Sequence, residues 1–396
     1  MKYDVVIVGG FGHVGLPLGI SLADRGKRVC AVDVNAAVQE RIGRGEMPFS
    51  DEGAESALRR VLETGRLTLS LRPSEISETD TVVFVVGTPV DRHLNPEFEP
   101  MRQTFDSYLP YLKDGQLVVL RSTVYPGITE KLRRWLRAEG KEVELAFCPE
   151  RIAEGFAMKE LLSLPQIVSS FTSEGVARAR ALFETLTPQV IAIEPLEAEL
   201  AKLFSNVWRY VKFAAANQFF MIANDQGADY HRIHQAMTTN YQRCSDMPGP
   251  GFAAGPCLFK DAMQLAAFNK GSFYMGHAAM LVNEGLPNYL VETLKRKHGL
   301  RDKTVGILGM AFKGNSDDKR ESLSYKLKKI LLFEAREVLC SDVNFDEEGF
   351  VSTSELISRS DVVIVGAPHR EYASLRPPAG KVFVDVWNLT GAGCVI

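Results

Sequence analysis

At 396 residues the chain is too long for one ordinary hydrophobic core and calls for two or three domains. With 45% hydrophobic and 24% charged residues it has the make-up of a soluble globular protein, and a net charge of −3 offers neither a basic surface for nucleic acid nor a polybasic patch for a membrane. Six scattered cysteines without a CxxC pair and seven histidines without a ligand motif point to no metal; with neither a signal peptide nor a bilayer-length apolar run, a cytoplasmic protein with reduced thiols is expected.

Val5-Val6-Ile7-Val8 is a short β-branched run, read as a buried strand. It leads into Gly10-Phe11-Gly12-His13-Val14-Gly15 and a helical stretch through Leu22. Strand, GxGxxG and helix in this order form a dinucleotide fingerprint. Gly10 makes the turn, Gly12 admits the pyrophosphate and Gly15 lets helix and strand pack closely. A second strand, Arg28 to Val32, ends at Asp33, where a carboxylate can bind both ribose hydroxyls and repels the extra phosphate of NADP. The expected cofactor is NAD.

Strand-like runs follow at Asp80–Val86, Gln116–Leu120 and Glu144–Phe147. They close at Gly87-Thr88-Pro89, at Arg121-Ser122-Thr123 and at Cys148-Pro149-Glu150-Arg151-Ile152-Ala153-Glu154-Gly155. Doubly wound sheets bind ligands beyond the carboxyl ends of their strands, which places Thr88, Thr123, Glu150 and Glu154 where cofactor and substrate would meet. Each is also a residue type that caps helices or fills loops.

From Pro195 the pattern changes. Leu196, Leu200, Leu203, Phe204, Val207, Val211, Ala214 and Ala215 recur at helical spacing, with no Gly or Pro before Gly227. So long a helix between two α/β units suits a subunit interface, and at least a homodimer is expected. Lys202 and Asn206 share one of its faces at i,i+4, a cation and an amide that could stabilise an oxyanion or simply line a solvated surface.

The loop Gly249-Pro250-Gly251-Phe252-Ala253-Ala254-Gly255 precedes Pro256-Cys257-Leu258-Phe259-Lys260-Asp261. Pro256 suits the first position of a helix, which would put Cys257 in the first turn, where free N–H groups and the helix dipole favour a thiolate. Lys260 and Asp261 follow one turn on. Together they look like a nucleophile with its acid–base support, although Cys257 alone would equally fit a buried structural thiol. Helical sequence then runs to about Arg296. A second α/β unit begins at Lys303–Gly309, with later strands at Glu337–Cys340, Asp361–Val365 and Lys381–Asp385. Gly309-Met310-Ala311 is no dinucleotide fingerprint, so this unit is expected to bind another nucleotide-like ligand. The expected fold is α/β, with two Rossmann-like, doubly wound parallel-sheet domains at 1–195 and 301–396. Between them, 196–300 supplies the long helix, a helical dimerisation region and the cysteine loop.

In this order the motifs resemble those of the nucleotide-sugar 6-dehydrogenases, in the UDP-glucose/GDP-mannose dehydrogenase superfamily, from Lys2 to about Asn388. The resemblance rests on Gly10–Gly15 with Asp33, Gly87-Thr88-Pro89, Ser122-Thr123-Val124, Pro149-Glu150 with Glu154-Gly155, and Lys202 to Asn206. Gly255–Asp261 and Ala311-Phe312-Lys313 with Asp318-Lys319-Arg320-Glu321-Ser322 complete it. It implies four-electron oxidation of a primary alcohol to a carboxylate with two NAD+ in turn. Cys257 would capture the intermediate aldehyde as a thiohemiacetal and carry the resulting thioester to hydrolysis. Lys202 and Asn206 would steady the oxyanion and a water, and Thr123, Glu150 and Asp261 match water-positioning and acid–base residues. Glu154 would lie near nicotinamide and sugar. Thr88, Lys260 and Arg320 would join the glycines and Asp33 around NAD. Gly251, Phe312 and Lys313 would hold the nucleotide of a UDP-sugar, and Arg243 would reach across a dimer interface.

The chain also departs from the glucose-oxidising subgroup. Pro149-Glu150-Arg151-Ile152 stands where that subgroup has Pro-Glu-Phe-Leu and resembles the enzymes of UDP-N-acetylhexosamines, whereas Glu154-Gly155 keeps the glucose-type acid. Arg151 could hydrogen-bond an acetamido carbonyl, or pair with a phosphate or a surface acid. Gly255-Pro256 and Asn217-Gln218 are further departures. The expected substrate is UDP-N-acetylmannosamine or its gluco epimer, with UDP-glucose as the alternative. A single-oxidation β-hydroxyacid dehydrogenase would need neither Cys257 nor a second α/β unit. A non-catalytic NAD- or sugar-nucleotide-binding protein would need neither Cys257, Lys202 nor Asp261.

Overall fold

Residues 1–85, 87, 98–376, 379–393 and 395–396 are described by a computed structural model; the expected cofactor contact Thr88 lies outside them. The chain packs as two compact units, Met1–Phe204 and Ser205–Ile396.

In the first unit the short apolar runs become strands: β1 (Val5–Val8), β2 (Val29–Val32), β3 (Leu67–Ser70), β4 (Thr81–Phe84), β5 (Leu117–Leu120), β6 (Glu144–Phe147), β7 (Gln166–Ser170) and β8 (Val190–Ala192). Their order is β3-β2-β1-β4-β5-β6-β7-β8, so the winding reverses between β1 and β4. Side chains alternate between two cores. Val5, Ile7, Val29, Ala31, Val83 and Val119 pack on one face, and Val6, Val8, Cys30, Val32, Phe84 and Val118 on the other. Burial on both faces is what the unbroken Val/Ile/Leu runs require, and helices such as Gly15–Asp24 and Ile128–Ala138 supply the covers. Pairing is parallel except at one step, where β7 runs antiparallel to β6 with Ala146 opposite Ser170. The connection over 148–165 stays beyond the carboxyl end of β6, so β7 starts there and runs back. Strands β3, β7 and β8 join the sheet although no strand was expected at their positions.

The second unit carries a parallel sheet of β9 (Thr304–Leu308), β10 (Glu337–Ser341), β11 (Val362–Val365) and β12 (Val382–Val384), in the order β10-β9-β11-β12. Val305, Ile307, Cys340 and Ile364 pack with Leu286, Leu290 and Leu294 of the helix Tyr274–His298 and with Leu323, Leu327 and Leu331 of the helix Leu323–Glu334. The long helix runs over Pro195–Asp225, 31 residues. Among the described residues no helix is long and apolar enough to cross a membrane, and no group of three or more His, Cys, Asp or Glu is placed to hold a metal ion.

Candidate active site

In the first unit the fingerprint lies just past the carboxyl end of β1, at the switch point. A Cβ on Gly10 would fall 2.7 Å from that of Ala31, and one on Gly15 only 2.2 Å from the Gly9 carbonyl oxygen. These two glycines are demanded by the protein's own packing. Gly12 differs: the nearest protein atom would be 4.0 Å from its Cβ, so the missing side chain leaves open surface of the kind a pyrophosphate needs. Asp33 ends β2, with one carboxylate oxygen accepting the Phe11 N–H at 3.1 Å and the other the Val34 N–H at 2.8 Å. It stays partly exposed, each oxygen keeping a lone pair for a ribose hydroxyl. The residues present fit NAD.

Beyond β5 and β6 the structure assembles a polar cluster around Glu150. One of its oxygens accepts the N–H groups of Arg151 at 2.7 Å and Ile152 at 3.0 Å, and the other pairs with the guanidinium of Arg121. Thr123 is partly buried two residues past Arg121, and Glu154 lies partly buried farther along the β6 connection. The Arg151 guanidinium donates to the Pro165 carbonyl; burial lowers its pKa, against the raising effect of Glu150. Lys202, on the long helix, is buried. One turn before it, Glu199 accepts the Gly127 N–H at 2.6 Å, the Thr129 N–H at 2.8 Å and the Thr129 hydroxyl at 2.6 Å. This carboxylate thereby caps the helix Ile128–Ala138 and ties the long helix to the loop that leaves Thr123. Burial raises its pKa, and the three donors only partly oppose the shift.

In the second unit the cysteine helix covers Leu258–Phe268. Contrary to expectation, Pro256 and Cys257 precede its first turn: Cys257 is the N-cap, and its carbonyl accepts the first helical N–H, from Asp261, at 2.9 Å. The cysteine is exposed, which removes the buried-thiol alternative. By contrast Cys148 is wholly buried, and burial pushes its pKa up to about 12. The Asn206 amide donates to the Asp261 carboxylate at 2.6 Å, both side chains being buried. Lys260 is partly buried on the same helix.

The loop before the cysteine is built by close backbone approach. A Cβ on Gly255 would lie 2.5 Å from the Phe312 ring, and one on Gly251 2.2 Å from Trp387. Asn217, fully buried on the long helix, both accepts the Gly251 N–H at 2.8 Å and donates to the Gly251 carbonyl at 3.0 Å. The Lys313 ammonium sits 5.5 Å from the centroid of the Phe312 ring. Arg320 pairs with Asp318, its Nε 2.9 Å from Oδ2, and Arg243 is exposed on the turn after the helix Tyr230–Thr238. Arg121, Glu199 and Asn217 were not among the residues singled out in the sequence. Arg121, next to the Ser-Thr of a strand end, and Asn217, noted only as a departure, carried a sequence signal; Glu199, one acid among several on its helix, carried none.

Family models match nearly the whole chain: the NAD binding domain of the UDP-glucose/GDP-mannose dehydrogenase family over residues 4–187, its central domain over 196–284 and its UDP binding domain over 306–392. A UDP-N-acetyl-D-mannosamine dehydrogenase of Yersinia pestis is 28% identical, covering 95% of this chain and 96% of its own. The solved UDP-glucose dehydrogenase of Pyrobaculum islandicum superposes with a TM-score of 0.89 at 28% identity, covering 97% of this chain and 94% of that one. The UDP-D-ManNAc dehydrogenase of Pyrococcus horikoshii shares the fold at a TM-score of 0.87 and 24% identity, covering 96% of this chain and 98% of that one.

Proposed function

Because the chain belongs to the UDP-glucose/GDP-mannose dehydrogenase family and is an NAD-dependent UDP-sugar dehydrogenase, we propose that it oxidises the C6 hydroxyl of a UDP-N-acetylhexosamine, such as UDP-N-acetylmannosamine, to the uronate through Cys257. The observation that carries this reading is an exposed thiol at a helix N-cap whose first helical N–H belongs to Asp261, itself hydrogen-bonded to Asn206.

NAD, when bound, accepts a hydride in each of the two oxidations. The chain's own groups do the rest. Cys257 thiolate adds to the C6 carbonyl of the aldehyde, and the electron pair moves to oxygen, where Lys202 and Asn206 stabilise the charge. When C6 gives up its second hydride the carbonyl re-forms as a thioester. Water then adds at C6, with Thr123 helping to position it and Glu150 or Asp261 taking its proton, and the C–S bond breaks to release carboxylate and thiolate. Gly10, Gly12, Gly15, Asp33, Lys260 and Arg320 serve the cofactor. Glu154 faces nicotinamide and sugar, and Gly251, Phe312 and Lys313 hold the UDP of the substrate. The name of the Yersinia relative and the sequence Pro149–Ile152 support an N-acetylhexosamine, with Arg151 close to the acetamido group. Glu154-Gly155 favours UDP-glucose as the second reading.

The test is NADH yield with each UDP-sugar limiting. Two NADH per UDP-N-acetylmannosamine, abolished by Cys257→Ser, supports both sugar and mechanism; two from UDP-glucose alone supports the second sugar. One NADH per sugar, or an unimpaired variant, would sink the thioester route.

The segment 196–300 is proposed as the dimerisation region. Trp208, Ala215, Phe219 and Ile222 are exposed at near-heptad spacing on the long helix. A second copy laid along this stripe would bury it and bring Arg243 to a partner's substrate. Trp208→Glu with Phe219→Glu should convert the dimer to monomers in light scattering; an unchanged mass places the interface elsewhere.

A further inference from the structure

Arg121 is a fully buried guanidinium for which the oxidation described above has no use. Burying a charge is costly unless it is paired and hydrogen-bonded, and here both terminal nitrogens are, while Nε has no hydrogen-bond partner. Its Nη1 donates to the Cys148 carbonyl at 3.1 Å and to the Gln166 side-chain oxygen at 2.8 Å, and its planar face lies 4.7 Å from the Phe183 ring centroid. Gln166 is fixed in turn, donating to the Ile167 carbonyl at 2.6 Å and the Pro149 carbonyl at 3.3 Å. The carbonyl just past β6, the first residue of β7 and Phe183 at the end of the helix Ser173–Phe183 therefore hold the fork before it meets its fourth partner, Glu150.

The pair is lopsided. The arginine side chain is 0% exposed, whereas that of Glu150 is 12% exposed, at the carboxyl edge of the sheet where ligands bind. The opposite oxygen of Glu150 is gripped by the Arg151 and Ile152 N–H groups, so the carboxylate cannot rotate. The neighbouring cation that could compete for it, Arg151, is turned onto Pro165.

We propose that Arg121 is a positioning residue for the reaction: it holds the Glu150 carboxylate in its working orientation while touching neither substrate nor cofactor. The inference rests on the assignment of Glu150 as a water-positioning or acid–base group.

The experiment is a double-mutant cycle on the full-length protein, measuring NADH release with saturating UDP-sugar and NAD+. Misplacing a catalytic group by an ångström costs on the order of 10²-fold, so Arg121→Gln should lower kcat by about that factor. The KM for NAD+ should stay within about twofold, since the fingerprint and Asp33 are untouched. Arg121→Lys, which restores charge without the fork, should recover part of the loss. In a Glu150→Gln background Arg121→Gln should cost less than about twofold more, because the group it acts through is already gone. If the two costs multiply, or if KM for NAD+ rises as far as kcat falls, Arg121 is a structural residue and the proposal is overturned. Glu150→Gln as fast as wild type would instead remove the assignment of Glu150 itself, a different failure. Should Arg121→Gln not fold, as judged by circular dichroism, Arg121→Lys carries the same cycle with the same criteria.

Discussion

The sharpest consequence of the nucleotide turn concerns one methyl group. Gly12→Ala places a Cβ with no protein atom nearer than 4.0 Å, and the residue is absent from the glycines with positive φ. The substitution should therefore leave the fold alone, changing stability by less than about 1 kcal/mol. Gly15→Ala, whose Cβ would lie 2.2 Å from the Gly9 carbonyl oxygen, should instead cost about 1–3 kcal/mol or more through overpacking. The order reverses for cofactor affinity. A methyl on Gly12 stands where the pyrophosphate must approach the backbone. Losing one charge-assisted hydrogen bond there costs about 1.5–3 kcal/mol, roughly 10- to 150-fold in Kd. Urea unfolding gives the first quantity and calorimetric titration with NADH the second, for both variants and wild type. A Gly12→Ala protein destabilised as much as Gly15→Ala, or one binding NADH like wild type, would refute the claim that this surface is open for a ligand.

Gly251→Ala should lose about 2–5 kcal/mol, since a φ of +149° and a Cβ 2.2 Å from the Trp387 ring add backbone strain to overpacking. Trp387→Ala should return only the packing part, so strict additivity of the two substitutions in urea unfolding would show that the ring is not the obstacle. The raised pKa of Glu199 makes a pH prediction. Burial pushes it above the ordinary carboxylate value, so the folded state holds the proton longer than the unfolded one. The stability this contributes is complete below the unfolded pKa and is lost as pH rises through the folded one. The advantage of wild type over Glu199→Gln in urea midpoint should shrink as pH climbs through that window; an advantage that grows with pH contradicts it.

What could be read from the sequence was what local residues dictate. Val5–Val8 must be a doubly buried strand because four apolar β-branched residues in a row have no solvated face, and Gly10, Gly12 and Gly15 followed by Asp33 announce their turn in 24 residues. Strands β3 and β7 were less visible. Leu67-Thr68-Leu69-Ser70 is short and mixed, and Gln166–Ser170 is half polar because Ser169 and Ser170 donate to the Phe147 and Leu145 carbonyls of β6. Neither signal exists until the neighbour is in place. The supporting residues were hidden for the same reason. Arg121 meets Gln166 across 45 residues, Glu199 meets Thr129 across 70, and Asn217 meets Gly251 across 34. The helix start fell at Leu258, two residues past Pro256, because a proline fixes its own φ without fixing where the first helical hydrogen bond forms.

The two units show how one architecture takes two ligands. Gly9 ends β1 with a φ of +76°, packed against the Val85 carbonyl, and Gly309 ends β9 with a φ of +89°, packed against Ala367. Each turn is tied to an acid that ends the next strand: Phe11 N–H to Asp33, and Met310 and Ala311 N–H to Asp342 at 2.7 and 3.0 Å. There the parallel ends. Asp33 remains partly exposed, but Asp342 is sealed by His369, whose Nε2 lies 3.1 Å from its carboxylate. Since Asn315 donates to the Nδ1 of His369 at 2.9 Å, Nε2 carries the proton and points it at the acid. Burial alone would raise the Asp342 pKa; the hydrogen bonds from His369 and the backbone outweigh it, and the pKa ends below its ordinary value. A carboxylate so occupied cannot take ribose hydroxyls, so the second unit is closed to a dinucleotide bound as in the first. The same pair fixes the loop that carries Phe312 and Lys313, because Met310, Ala311 and Asn315 are all fastened to it. The acid that opens one unit to NAD becomes, with one histidine, the anchor of the other unit's proposed nucleotide contacts.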